Sequence, residues 1–147
     1  MNDIVDHIRN RAYMSGIARE QVRVKATGEV FTPTILVQEI LDNLDQSVFT
    51  DNTKTFLDPT CGDGQFLGEV LIRKMENGST FEQALSTIYG VDLMQDNVEL
   101  CRERLLCGRN ELRHIVEQNI VCSDGLEYNY LFGKPDTFGP NNLFEIG

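Results

Sequence analysis

The sequence predicts an α/β chain built on a parallel sheet with helices on both faces. Three observations lead there. Short apolar runs at 55–57, 87–91 and 120–122 have the length of strands. Stretches of helical periodicity separate them, and each run ends at an aspartate: Asp58, Asp92 or Asp124. Strands alternating with helices imply right-handed crossovers, hence parallel pairing.

The 147 residues suit one domain, and a hydrophobic content of 41% is enough for a core. There are 13 Lys and Arg against 23 Asp and Glu, a net charge of −10. Such a chain repels phosphates at long range, which disfavours a bulk electrostatic grip on nucleic acid. No apolar run approaches the ~20 residues that cross a bilayer, and no signal peptide is read at the start. A cytoplasmic location without a membrane partner is therefore expected. The four cysteines, Cys61, Cys101, Cys107 and Cys122, form no C-x-x-C pair. His7 and His114 lack partners at metal-ligand spacing, so buried reduced thiols and no metal are expected.

Taken in order, Ile4, Val5, Ile8 and Ala12 mark an amphipathic helix from Asp3 to about Met14. Residues 15–30 read as a loop or short helix. At Thr32-Pro33 a helix starts, with Thr32 as cap and Pro33 at the first helical position. Its apolar face is Ile35, Leu36, Ile40, Leu41 and Leu44. Thr55-Phe56-Leu57 is a short buried strand, followed by the sharp turn Asp58-Pro59-Thr60-Cys61-Gly62-Asp63-Gly64. The next helix turns Phe66, Leu67, Val70, Leu71 and Met75 inward and stops at Asn77-Gly78. Thr80 and Gln83 form a capping box for a short helix through about Leu85. After the second strand, Val98, Cys101 and Leu105 mark a helix ending near Gly108, and another spans about Asn110 to Glu117. Ile120-Val121-Cys122 is a third buried strand. Residues 125–142 read as loop, and 143–147 as the beginning of a fourth strand.

In an open α/β sheet, ligands bind beyond the carboxyl ends of the strands, so the three aspartates should converge on one crevice. The turn is not G-x-G-x-x-G. Gly62 and Gly64 permit close approach of a ligand to the backbone, while Asp58 offers a carboxylate to a cationic amino group. Asp92 is placed for ribose hydroxyls and Asp124 for an exocyclic amine. A nucleoside with an amino-acid tail and no pyrophosphate fits this set, namely S-adenosyl-L-methionine.

At these residues the chain resembles the DNA N6-adenine methyltransferases of restriction-modification systems and phages. Gly28-Glu29-Val30-Phe31-Thr32-Pro33 is similar to the N-terminal motif that folds against the methionine end of the cofactor. The run from Leu57 through the 58–64 turn to Gln65-Phe66-Leu67 is similar to the main cofactor loop, usually DPACGSG or DPTCGSG followed by Phe. Tyr89-Gly90-Val91-Asp92-Leu93 resembles the ribose-binding strand end. Asn119-Ile120-Val121-Cys122-Ser123-Asp124 resembles the adenine-binding one. The resemblance implies a Rossmann-like methyltransferase fold, apparently truncated at the fourth strand. Residues 1–50 would be a helical segment with the Thr-Pro motif and 51–147 an incomplete cofactor-binding core, together one structural domain. It assigns cofactor contacts to Phe31, Thr32, Pro33, Asp58, Pro59, Cys61, Gly62, Gly64, Phe66, Asp92, Leu93, Asp124 and Gly125.

The family's catalytic tetrapeptide, N/D/S-P-P-Y/F/W, is absent. It follows the fourth strand in relatives and holds the flipped base. Phe144-Glu145-Ile146-Gly147 resembles that strand; a rival alignment makes Asn141-Asn142-Leu143-Phe144 a degenerate tetrapeptide. No residue is assigned to catalysis. The implied function is the cofactor-binding portion of an enzyme that methylates the exocyclic amine of adenine in DNA. The alternatives are an inactive cofactor-binding or interaction module, or a methyltransferase acting on RNA or protein. DNA is the implied substrate, and an unpaired sheet edge would favour a homodimer or complementary subunit. Asp92 and Asp124 also suit helix caps. Cys61 suits small packing, and Phe31, Phe66 and Tyr89 suit core or pocket wall. Arg9, Arg11, Arg19, Arg23 and Lys25 suit a solvated face.

Overall fold

A computed structural model describes residues 1–10 and 33–135 of the chain. Helix α1 (Asn2–Asn10) buries Ile4 and Ile8, one turn apart, as the periodicity predicts. Ala12 and the remainder of that predicted helix lie outside the described residues, as do the Arg and Lys residues of 11–25. Helix α2 (Thr34–Asp42) begins one residue later than expected. Pro33 is its N-cap, with the extended ψ of 147° that precedes a helix, and Val37 closes the first turn on the Pro33 carbonyl.

The predicted inward face of α2 needs correcting. Val37 and Leu41 are buried, whereas Ile35 is 72% exposed and Leu36, Ile40 and Leu44 are also exposed. Two apolar stripes compete on this helix, and polar partners choose between them. Gln38 donates to Glu69, Arg73 donates to the Gln38 carbonyl, and Arg73 pairs with Asp42 at 2.6 Å. These contacts turn the Val37–Leu41 stripe toward the next long helix.

After the short α3 (Ser47–Thr50), strand β1 (Phe56–Asp58) enters the sheet. Helix α4 (Gln65–Glu76) follows, packing against α1, α2 and α3. Its Lys74 is buried, and the Nζ donates to the carbonyls of Val48 and Lys54, tying α3 and the following turn to α4. Gly78, at φ 109°, ends the helix as the Asn77-Gly78 signal predicts.

Helix α5 (Phe81–Ser86) opens on the predicted capping box. Gln83 N donates to Thr80 Oγ1 at 3.1 Å, and Thr80 N to Gln83 Oε1 at 2.9 Å. Replacing Thr80 with Ala removes one of these bonds and should cost about 1 kcal/mol, a fall of roughly 3 °C in melting temperature. A differential scanning calorimetry trace identical to wild type would show that the box contributes nothing.

Strand β2 (Ile88–Asp92), helix α6 (Gln95–Leu106), a 3₁₀ turn (Asn110–Leu112), helix α7 (Arg113–Asn119) and strand β3 (Ile120–Cys122) complete the described elements. The sheet is parallel, in the order β1-β2-β3, with Phe56 opposite Ile88 and Gly90 opposite Ile120. This is the α/β architecture expected of a Rossmann-like methyltransferase fold. The expected fourth strand lies outside the described residues.

Side chains alternate across the sheet. Gly90 faces Leu67 of α4, and Ile88 and Ile120 join the core cluster with Leu67, Val70, Leu71, Val98, Cys101 and Leu105. Tyr89, on the other face, packs its ring at a tilt against Phe132, with centroids 4.8 Å apart. Val91 and Phe132 are buried apart from the main cluster. The expectation that β1 and β3 are buried strands is only partly met. Leu57 is exposed on β1, an edge strand of the described sheet, and Cys122 is exposed at the carboxyl end of β3. Cys107 is half-buried in a left-handed C-cap, so only Cys61 and Cys101 are the buried thiols expected; all four are free.

Candidate functional site

The 58–64 turn leaves β1 at its carboxyl end. Asp58 Oδ1 accepts from Thr60 N at 3.0 Å and from Thr60 Oγ1 at 3.4 Å, which fixes the first bend. Its other oxygen, Oδ2, takes no hydrogen bond among the described residues. Burial pushes the Asp58 carboxyl above the usual aspartate range, despite the lowering effect of the Thr60 bonds, and the nearby Asp92 charge adds to the rise. Farther along, Cys61 N donates to the Val91 carbonyl at 2.9 Å, hooking the turn onto β2. Gly62 and Gly64 both have positive φ, 55° and 95°, a conformation for which glycine is suited. An added Cβ on Gly62 would meet nothing within 4 Å, so this glycine borders open space.

Asp92, half-buried at the end of β2, is the hub. Its Oδ1 accepts from Gly62 N at 3.1 Å, and its Oδ2 from Met94 N at 3.0 Å and Asn97 Nδ2 at 3.1 Å. The carboxylate thus binds the turn to β2 and caps the chain entering α6. Three of about four lone-pair positions are filled from within the chain, leaving about one for an incoming donor. Leu93 follows and is 64% exposed.

At the third strand end, Ser123 N donates to the Asp92 carbonyl and Cys122 Sγ to the Leu93 carbonyl. Asp124 is exposed. Its Oδ1 accepts from Leu126 N, and its carbonyl accepts from Glu127 N and Tyr128 N, so it organises a local turn; no described helix follows it, so the helix-cap expectation is not met there. The Gly125 Cα lies where an added Cβ would come within 3.0 Å of the Pro59 carbonyl, which joins this turn to the first. The segment beyond is held by edge-to-face aromatics: Tyr128 meets both Tyr130 and Phe132 at 5.2 Å between centroids. Tyr130 donates its hydroxyl to the Gly125 carbonyl, and Tyr128 Oη accepts from Phe132 N. Tyr130 and Phe132 both take positive φ, which side chains of this size adopt only when their surroundings hold them. Leu126, 97% exposed, stands at the tip.

The structure therefore gathers Asp58, Pro59, Cys61, Gly62, Gly64, Asp92, Leu93, Asp124 and Gly125 along one edge of the sheet. Cys61 lies beneath the turn, in contact with Gly90 and Cys101. Phe66 is half-buried and packs on the main core. Pro33 sits exposed at the start of α2, and no described hydrogen bond joins it to the strand ends. Phe31 and Thr32 lie outside the described residues. A polar cavity of about 280 Å³, lined among others by Arg9, Gln38, Asp42, Glu69 and Arg73, shares no residue with the strand-end site. Its walls are paired internally, Arg9 with Glu69 and Arg73 with Asp42. Residues not singled out from sequence are Asn97, which orients Asp92, and the buried pair Asp63–Arg104 beneath the turn. A charged residue between two glycines, where the resembled loop carries Ser, is the one sequence signal that pointed to the latter.

The N-6 DNA methylase family profile matches residues 9–133 and so spans the 58–64 turn and all three strands. No curated protein sequence and no solved structure matches the chain. Among the described residues no helix is long and apolar enough to cross a membrane. With the matched stretch covering most of the chain and a parallel sheet whose acidic strand ends meet at a glycine turn, the chain belongs to the N-6 DNA methylase family.

Proposed function

We propose that the chain binds S-adenosyl-L-methionine at the strand ends and serves as the cofactor-binding portion of a DNA adenine-N6 methyltransferase. The observation that carries this reading is the state of Asp58. Its carboxylate is half-buried, with its ionised form disfavoured by that burial, yet Oδ2 takes no hydrogen bond among the described residues. A cationic ammonium at that oxygen would offset the desolvation and form a charge-assisted bond. The remaining groups suit the rest of such a ligand. Gly62 opens onto free space, Asp92 has room for about one hydroxyl, and Leu93 presents an exposed apolar side chain for a purine face. Asp124 keeps Oδ2 for an exocyclic amine.

The cofactor, when bound, supplies a methyl group activated by its sulfonium. The chain's own work is to hold and orient. Asp58 and the Gly62–Gly64 backbone fix the amino-acid end, Asp92 fixes the sugar, and Leu93 with Asp124 fix the base. Direct displacement needs no covalent enzyme intermediate, so positioning is the main contribution these residues make.

The test is calorimetric titration of wild type and Asp58→Asn with S-adenosyl-L-methionine. Loss of the charge should weaken binding roughly tenfold to a hundredfold. Stability should move oppositely. A carboxyl whose folded pKa is raised contributes most below its unfolded pKa and loses that contribution as pH rises through the folded value. Asp58→Asn should therefore melt higher than wild type at pH 7, with the gain shrinking as pH falls toward about 4. No binding by wild type would sink the proposal.

A further inference from the structure

We propose that Arg104 is a positioning residue that sets the cofactor turn from beneath, with Asp63 as its counter-charge; the inference rests on the cofactor-binding reading of that turn. Arg104 lies on α6 and is only 2% exposed, among the largest wholly enclosed side chains of the described residues. Its Nε donates to the Asp63 carbonyl at 2.9 Å, and its Nη1 to the Ile8 carbonyl of α1 at 2.8 Å. Its Nη2 lies 3.6 Å from Asp63 Oδ2, and Asp63 is itself 1% exposed. One guanidinium thus joins three parts of the chain: α6, the end of α1 and the middle of the turn.

The location of Asp63 gives this contact its leverage. Between Gly62 and Gly64 it is the only residue with a side chain, and its neighbours have wide backbone freedom. Besides the Cys61 N bond to the Val91 carbonyl, two contacts grip the glycine end of the turn. Asp92 takes Gly62 N from the ligand side, and Arg104 takes Asp63 from the core side. Gly64 rests directly on α6, where an added Cβ would come within 3.0 Å of Cys101 Sγ and 3.5 Å of Arg104 Cδ. Moving Arg104 therefore moves the backbone that faces the ligand. The planar fork matters as much as the charge, because one ammonium cannot aim at the Asp63 carbonyl, the Asp63 carboxylate and the Ile8 carbonyl together. The same fork transmits the position of α1. His7 Nε2 lies 3.1 Å from the Glu103 carbonyl, and Arg9 grips Glu69 of α4 through two bonds, so α1 is itself anchored on both flanking helices.

The experiment compares the full chain with Arg104→Lys, Arg104→Met and Asp63→Asn. It measures S-adenosyl-L-methionine affinity well below each melting transition, and amide hydrogen exchange at 61–64 without ligand. Arg104→Lys should weaken binding roughly tenfold or more, and Gly62 and Gly64 should exchange faster while the core strands keep their protection. Asp63→Asn keeps the shape and the carbonyl contact, and should give a smaller change of the same kind. Should Arg104→Met fail to fold, the Lys and Asn variants decide. A lower melting temperature in Arg104→Lys with unchanged affinity and unchanged exchange at 61–64 would reduce Arg104 to a packing residue and overturn the proposal. If wild type binds no cofactor, the cofactor reading fails by itself, and exchange at 61–64 still decides whether Arg104 sets the turn.

Discussion

Gly90→Ala is expected to destabilise the protein by about 1–3 kcal/mol, roughly 3–10 °C in melting temperature. The sign is the informative part. Glycine within a strand normally weakens it, and alanine at a compatible position normally strengthens it. Gly90 lies in the middle one of the three described strands, and its φ is not in the left-handed region, so no conformational reason protects it. Space does. An added Cβ would sit 2.8 Å from Leu67 Cδ1, 2.9 Å from Cys61 Cβ and 3.0 Å from Cys61 Sγ. Either α4 or the 58–64 turn must shift. Gly62→Ala is the contrasting control, since its Cβ meets nothing within 4 Å and only the positive φ is penalised. Combining Gly90→Ala with Cys61→Ala should recover part of the loss by removing the sulfur. Thermal melts of the three variants check this; a melting temperature for Gly90→Ala at or above wild type would refute the packing argument.

The larger loss is expected for Asp92→Ala, about 2–4 kcal/mol. The substitution removes the acceptor for Gly62 N, Met94 N and Asn97 Nδ2 at once, and Asn97 is fully buried. Asp92→Asn separates charge from geometry. An amide accepts at one oxygen only, so its NH₂ must face either Gly62 N or the Met94–Asn97 pair of donors. The Asn variant should therefore lose most of what the Ala variant loses. Urea unfolding gives the comparison through the midpoint at an unchanged slope. Asp92→Asn unfolding at the wild-type midpoint would show that the three bonds are not holding the turn.

These two positions mark what the sequence could and could not disclose. Signals confined to a few neighbouring residues were readable: the Thr80–Gln83 box, the Asn77-Gly78 stop, and the glycines of the 58–64 turn. Short apolar runs located the strands, and period-3.6 patterns the inner faces of α1, α4 and α6. The face of α2 was not readable, because Leu36–Ile40–Leu44 and Val37–Leu41 are both apolar stripes. The choice rests on Glu69 and Arg73, about thirty residues away. The site shows the same division. Asp58, Asp92 and Asp124 could be named from strand ends, but the bond from Gly62 N to Asp92 and the Arg104–Asp63 contact join residues 30 and 41 positions apart. Long-range polar pairing leaves no local period to detect.

The strand register carries a kinetic consequence. Because Phe56 pairs with Ile88 and Gly90 with Ile120, neither ladder can form until the chain has closed a loop of some thirty residues containing a helix. Local helices such as α4 and α6 are free to form first, while both ladders wait on slow non-local closure. The three aspartates sit at the ends of those ladders, so their crevice exists only after the last crossover has docked. A ligand of that crevice would be blind to partly folded chains. At concentrations well above its dissociation constant it would slow escape from the finished state rather than hasten arrival.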